Sequence, residues 1–358
     1  MQLTERAELG DLTDAWDDLA RRQPLPSPFL RSWWIDNTAT GALVVLALHA
    51  DGALVGGAAF EVDRMGWGPA SVERVRCVGQ GPLAPDHLDV IAEPGHGTAV
   101  TEAVVGWLNR AGSRLIDLDG LAADGRLGRA LATHVTERVP APWTPLTKDY
   151  PAYLAARPGQ LRSTLKRRAK HFTAAGATIR RVDNGDPTDV ARALDALASL
   201  HDSRWAEQSG FLAEWVRFGR AAAVGAAAGD LVMHELVDAD GAVVAIEADL
   251  VTDDRLAFYQ AGRRTDHDWR AAGSVVKAHI IEWACGDGYH EFDLLRGDES
   301  YKADWATEHR HIVRIRYGHG TVGRGAHTAG RTWRWTAQRL ADRRDRRDSS
   351  GSAEGDSS

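Results

Sequence analysis

A chain of 358 residues is too long for one ordinary core and suits two domains of about 150 residues each. The formal charge of −7 and sequence pI near 6.1 exclude a global attraction to nucleic acid or anionic membrane, while allowing local basic patches. Cys77 and Cys285 lie far apart without metal-ligand spacing, so they read as two free thiols in a reducing compartment.

The opening MQLTERAELGD carries acids and no apolar run of signal length, and no later apolar stretch reaches the ~20 residues of a membrane span. The expectation is a soluble, cytoplasmic protein. The first 35 residues are mostly helical in pattern, with Trp16, Leu19, Phe29, Trp33 and Trp34 as apolar anchors. The period then changes. Ala42 to Ala50 and Leu54 to Phe60 read as two strands joined at Asp51-Gly52, with a third strand near Ser71 to Gly79. A helix from Thr98 to Ala111, a strand at Arg114 to Leu118 and a helix around Arg126 to His134 complete an α/β unit.

At PAYLAARPGQLRSTLKRRAKHF the composition shifts: two helices break at Pro158-Gly159, and five bases with no acid fall between Arg162 and Lys170. This marks a domain junction. A strand near Ala177 to Val182, a helix from Pro187 into Trp205 and a helix over Phe211 to Ala228 follow, with Leu194, Leu197 and Leu200 marking a buried stripe. Leu231 to Val237, Val243 to Val251 and Arg255 to Gly262 form an antiparallel meander, which leads into a helix at Gly273 to Cys285 and a strand at Glu291 to Leu295. That order repeats the plan of residues 42 to 118. A last strand around Ile312 to Tyr317 is expected to close the second unit, and 334 to 358 to be a frayed basic-acidic helix followed by a disordered end.

Three places invite chemistry. In RAAGSVVKAHIIEWA, Gly273 opens a helix whose first amides suit a pyrophosphate, or Gly273 and Ser274 simply start and cap that helix. In FDLLRGDESYKADW, a strand carrying Asp293 runs into a charged loop from Arg296 to Lys302. Tyr301 could serve there as a general acid and Lys302 as an anion partner, with Asp298 and Glu299 holding the loop; the bland alternative is an Arg-Asp turn. Glu247 and Asp249 share one strand face and could form a base with Tyr259 as proton donor, or be the wet face of a sheet. The basic run from Arg162 to Lys170 is a solvated face, a phosphate clamp or a transfer RNA contact. The histidines lack ligand spacing, so no metal is expected.

Together LRSTLKRRAK, the helix ending near Arg204 and Trp205, the meander closing at Phe258 to Gly262, Gly273 at a helix entrance and above all FDLLRGDESYKADW resemble the GNAT acyltransferase superfamily. The likeness is to its CelD/BcsL-like branch, whose members look like tandem GNAT domains related to FemAB peptidyltransferases. It is strongest over 150 to 310, while SPFLRSWW and the 42 to 118 unit resemble the first domain more loosely.

The resemblance implies an α/β fold of tandem GNAT-like domains with mixed, mainly antiparallel sheets flanked by helices. It divides the chain into 1–149, 150–322 with the acyl-donor site, and a polar tail at 323–358. It implies acetyl-CoA or another acyl-CoA as donor, an amine or hydroxyl acceptor, and Arg270, Gly273, Ser274 and Val275 at the coenzyme, the last two departing from a glycine-rich loop. Tyr301 would protonate the leaving sulfur. The FemAB relation implies an alternative, an aminoacyl-tRNA-dependent transferase touching RNA through Arg162 to Lys170. A non-catalytic GNAT-fold module of envelope or polysaccharide biosynthesis is a further one.

Overall fold

The computed structural model describes residues 1–68, 71–205 and 210–329. In the first half, strand β1 (Gln2–Arg6) leads to helices α1 (Thr13–Arg21) and α2 (Ser32–Thr38), strands β2 (Ala42–Ala50), β3 (Ala53–Met65) and β4 (Val72–Cys77), and the short β5 (Ile91–Ala92). Helix α3 (Gly97–Leu108) then crosses to β6 (Arg114–Ala122), and α4 (Arg126–Ala130) precedes β7 (Val135–Pro145). The second half runs through α5 (Tyr150–Ala155), α6 (Gly159–Ala174), β8 (Thr178–Arg181), α7 (Pro187–Trp205) and α8 (Trp215–Ala227). It continues with β9 (Leu231–Val237), β10 (Val243–Thr252), β11 (Arg255–Arg263), α9 (Ala272–Asp287), β12 (Glu291–Asp293) and β13 (Glu308–His319).

The doubled plan is visible in the pairing. Strands β2, β3 and β4 run antiparallel and α3 crosses to a parallel β6; β9, β10 and β11 run antiparallel and α9 crosses to a parallel β12. A parallel pair needs such a crossover, because a hairpin can only reverse the chain. All these strands lie in one continuous sheet, in the order β1-β2-β3-β4-β6-β13-β7-β12-β11-β10-β9-β8. Helices α7 and α8 cover one face of its second half, while α5, α6 and α9 cover the other.

Three expectations need correction. The N-terminal stretch, read as mostly helical, begins with β1, an edge strand on β2. The strand β7 was not expected, because VTERVPAPWTP carries three prolines. Pro140 and Pro142 nevertheless sit in a central position: their carbonyls accept N–H bonds from Gly297 and Leu294, at 2.9 Å each, and their missing donors face that same, sparsely paired side. Strand β13 does not close the second unit; it lies between β6 and β7, so each half contributes a strand to the middle of the sheet. Residues 320–329 are helical, and the expectation for 334 to 358 lies outside the described residues. Cys77 and Cys285 are buried and unbonded.

The apolar core runs through the junction. Phe29 and Trp34 of the first half pack on Tyr259 at 5.6 and 6.0 Å, and Phe218 of α8 packs on the same ring at 5.5 Å. Arg31, 2% exposed, pairs with Asp17 at 3.2 Å and with Asp230 across the junction at 2.9 Å. Among the described residues no helix is long and apolar enough to cross a membrane.

Candidate functional site

The chain leaves β11, makes a short turn at His267–Trp269 and enters α9 through Ala271, whose φ of +67° is left-handed. That conformation costs a non-glycine residue about 1–2 kcal/mol. No side chain caps the helix, so Ser274 does not take the capping role that one reading of the sequence gave it. The first-turn N–H groups therefore remain available to a partner outside the helix. A Cβ on Gly273 would meet only Cδ of Arg263, at 3.7 Å, so the approach to those groups is open. Arg270 is exposed, Ser274 half-buried and Val275 buried. Phe172 packs on Trp269 with ring centroids 5.3 Å apart, which brings the end of α6 to this entrance. On α6, Arg162, Lys166, Arg167 and Lys170 are exposed and Arg168 half-buried, with no ion pair to the described residues.

Glu247 and Asp249 are not the wet face of a sheet. They are 1% and 0% exposed and point at α9, where Lys277 Nζ lies 2.6 Å from Glu247 Oε1 and 3.3 Å from the Phe258 ring centroid. Burial pushes both carboxyl groups up, Asp249 well above the usual range because Glu247 adds like charge, while Lys277 pulls both back. Tyr259 is on the neighbouring strand as expected, yet on the opposite face. Its hydroxyl donates to Leu83 O at 2.8 Å, and burial holds it protonated. The structure thus does not bring Tyr259 and Glu247 together. Lys277 was missed by the sequence reading, although its place four residues before Ile281 puts a base on the buried stripe of that helix.

Beyond Ala257 and Asp293 the parallel pair β11 and β12 separates, and the loop Leu83–His87 of the first half crosses the gap. Gly120 lets it pass: a Cβ there would lie 2.1 Å from Pro85 O. Arg296 is bound into this crossing by Asp86, by Asp119 at 3.0 Å and by Pro85 O at 2.6 Å. Asp293 accepts from Leu295 N at 2.7 Å, pairs with His87 Nε2 at 2.8 Å and with Arg310 at 3.2 Å. Burial raises the Asp293 carboxyl, but His87 and Arg310 outweigh it and hold it low. Burial alone would depress His87, yet Asp293 and Asp86 lift it above its ordinary value. Lys302 is 4% exposed and donates to Arg296 O at 2.6 Å, with Glu299 3.0 Å away. Asp298 and Tyr301 are exposed, the latter on a short turn at Ser300–Asp304. Asp86, His87 and Arg310 were missed, since nothing periodic marks GPLAPDHLD as a loop that reaches the other half.

A cavity of about 370 Å³ opens beside this network. Its walls come from both halves: the end of β6, the first turn of α4, the segment after α1, His87, and Arg310 and His311 at the start of β13. Among the described residues no His, Cys, Asp and Glu cluster is arranged to hold a metal ion.

Residues 159–303 match the family model described as "Acetyltransferase (GNAT) domain". The match spans α6 to the loop after β12, the second of the two α/β units. Among solved structures the chain is similar to FemX, with a TM-score of 0.60 at 10% identity over 88% of this chain and 97% of that one. It is also similar to a conserved protein of unknown function from Bacteroides thetaiotaomicron VPI-5482, with a TM-score of 0.54 at 10% identity, covering 88% and 99%. A third is the C-terminal domain (DUF2156) of a putative lysylphosphatidylglycerol synthetase from Agrobacterium fabrum, with a TM-score of 0.51 at 11% identity, covering 85% and 91%. At such identities the likeness is one of fold. No curated protein matches the sequence.

Proposed function

We propose that the chain transfers an acyl group from an acyl-CoA thioester to an amine or hydroxyl acceptor, within the CelD/BcsL-like branch of the GNAT superfamily and in the cytoplasm. The observation that carries this reading is the uncapped, sterically open entrance of α9 inside the segment that matches the GNAT model. The donor site belongs to a unit at 150–322, with 1–149 as its partner unit. The α9 amides, helped by Arg263 and Arg270, hold the coenzyme diphosphate, because donors and helix dipole both favour an anion there. Bound there, the coenzyme supplies an activated acyl group and a thiolate leaving group.

The acceptor attacks the thioester carbonyl, the C–S bond breaks as the new acyl bond forms, solvent water takes the acceptor's proton, and exposed Tyr301 gives the leaving sulfur its proton. Glu247 is too deep, and too tightly paired with Lys277, to reach an acceptor. We assign it to fixing α9 against β10, and assign Tyr259 to the junction core. Asp293, Arg296 and Lys302 shape the loop that carries Tyr301; Asp298 lies on its exposed side. Loss of a general acid costs about a hundredfold or more. Tyr301→Phe is therefore expected to lower kcat by roughly that factor in a thioester-loss assay, with unchanged acetyl-CoA affinity. Unchanged turnover removes Tyr301 as the acid.

The basic face of α6 beside the α9 entrance, which forms no ion pair among the described residues, favours a second reading, a FemAB-like transferase taking its acyl group from aminoacyl-tRNA. Transfer that is abolished by ribonuclease and independent of acyl-CoA selects this reading over the first.

A further inference from the structure

The cavity beside the junction network differs in character from the α9 entrance. It is lined by Gln23, His87, Arg126, Arg129, Arg310 and His311, with Asp89 and Asp124 as its acids. The charges do not cancel evenly. Asp89 is occupied as a backbone acceptor, taking N–H bonds from Val90, Arg126 and Leu127 at 2.8, 2.6 and 2.7 Å. Asp124 is exposed. Arg126 donates to Gln23 Oε1 at 3.0 Å and faces Asp89, whose carboxyl it pulls down against the upward push of burial. Arg129 is exposed and forms no ion pair with the described residues. Arg310 stacks over Trp143 at 4.0 Å and is held by Glu291 and Asp293.

Behind the arginines sits His87, 4% exposed, with a left-handed φ of +55°. Nε2 lies 2.8 Å from Asp293 in an ion pair, and Nδ1 has no hydrogen-bond partner among the described residues. A strained, buried side chain with an unpartnered ring nitrogen in a cavity wall is costly unless a ligand or a charge role repays it.

We propose that this cavity binds the carboxylate or phosphate group of a small ligand, with Arg126 and Arg129 as the direct clamp and the His87 imidazolium as a fixed positive charge behind them. Its volume is in the lower range for small-molecule sites, enough for a sugar phosphate or a dicarboxylate and too small for a polymer segment. Calling that ligand the acyl acceptor rests on the acyltransferase reading; the binding itself does not.

The charged groups facing His87 are Asp86 on its own loop, Asp293 on β12 and Arg310 on β13, with Arg126 and Asp89 elsewhere in the cavity wall; the two aspartates of the first set raise the imidazole and Arg310 lowers it. The two nearest carboxylates favour the imidazolium, so affinity is expected to be highest at low pH and to fall as pH rises through the elevated His87 value.

Calorimetric titration of the full chain with glucose 6-phosphate against glucose, and succinate against succinamide, tests this. At least one anion binds saturably and its neutral counterpart does not, and which anion binds separates phosphate from carboxylate recognition. The variant Arg126→Gln/Arg129→Gln, altered only at the cavity rim, weakens that binding at least tenfold without changing the melting temperature. His87→Gln, where it folds, binds more weakly and loses the pH dependence. Absence of saturable anion binding overturns the proposal, as does equal affinity for the neutral counterparts or unchanged affinity in the double variant. A Gly273→Phe variant that loses acetyl-CoA yet keeps the anion separates this site from the donor site, so either reading can fail alone.

Discussion

Lys277 neutralises at most one of two buried carboxyl groups, so the other is held as the acid. A folded-state value raised above the unfolded one adds stability that is complete below the unfolded value and is lost as pH rises through the folded one. For Asp249 that window opens near pH 4 and extends upward. Asp249→Asn should therefore be at least as stable as the parent at pH 8 and should flatten this part of the stability profile, measured by denaturant unfolding at pH 4 to 9. Lys277→Met should behave oppositely, costing about 3–5 kcal/mol at pH 8 by stranding Glu247, and less at pH 5. Arg296, open in the sequence between a site loop and an Arg-Asp turn, is a half-buried clamp on Asp86, Asp119 and Pro85. Arg296→Met is expected to lose about 3–5 kcal/mol by leaving Asp86 unpaired. A loss under 1 kcal/mol would show that the clamp is dispensable.

At the scale of elements, periodicity disclosed the hairpins, the meander and the helix at Gly273, because each buries one face against a single layer. It could not disclose β7, whose prolines imitate a loop and whose pairing is tolerated only because their imino nitrogens face the sparse side of β12. Nor could it place β13, since alternation reports which face is buried and not which neighbour is paired. The glycine at the entrance of α9 was legible; the distant loop Leu83–His87 that fills the β11–β12 gap was not, because its contacts lie about 170 to 210 residues away in sequence. Since β13 is hydrogen-bonded to β6 as well as β7, a chain ending at residue 307 should lose protection in both strands by hydrogen exchange. Normal protection of β6 in that truncated chain would contradict the pairing.

For the whole molecule, the mutual insertion of β7 and β13 and the core through Trp34, Tyr259 and Phe218 make each half incomplete without the other. The two-unit plan was readable from the order of its elements, but the single sheet that joins them was not. The open entrance of α9 carries the proposed donor role, and titration of acetyl-CoA into the full chain and into Gly273→Phe in a calorimeter measures it. Saturable binding to the parent chain is expected, lost at least tenfold in a variant whose melting temperature is unchanged, because a Cβ there would meet only Arg263 Cδ, at 3.7 Å, and no core residue. A parent chain that binds no acyl-CoA, or a variant that binds it equally well, would contradict it.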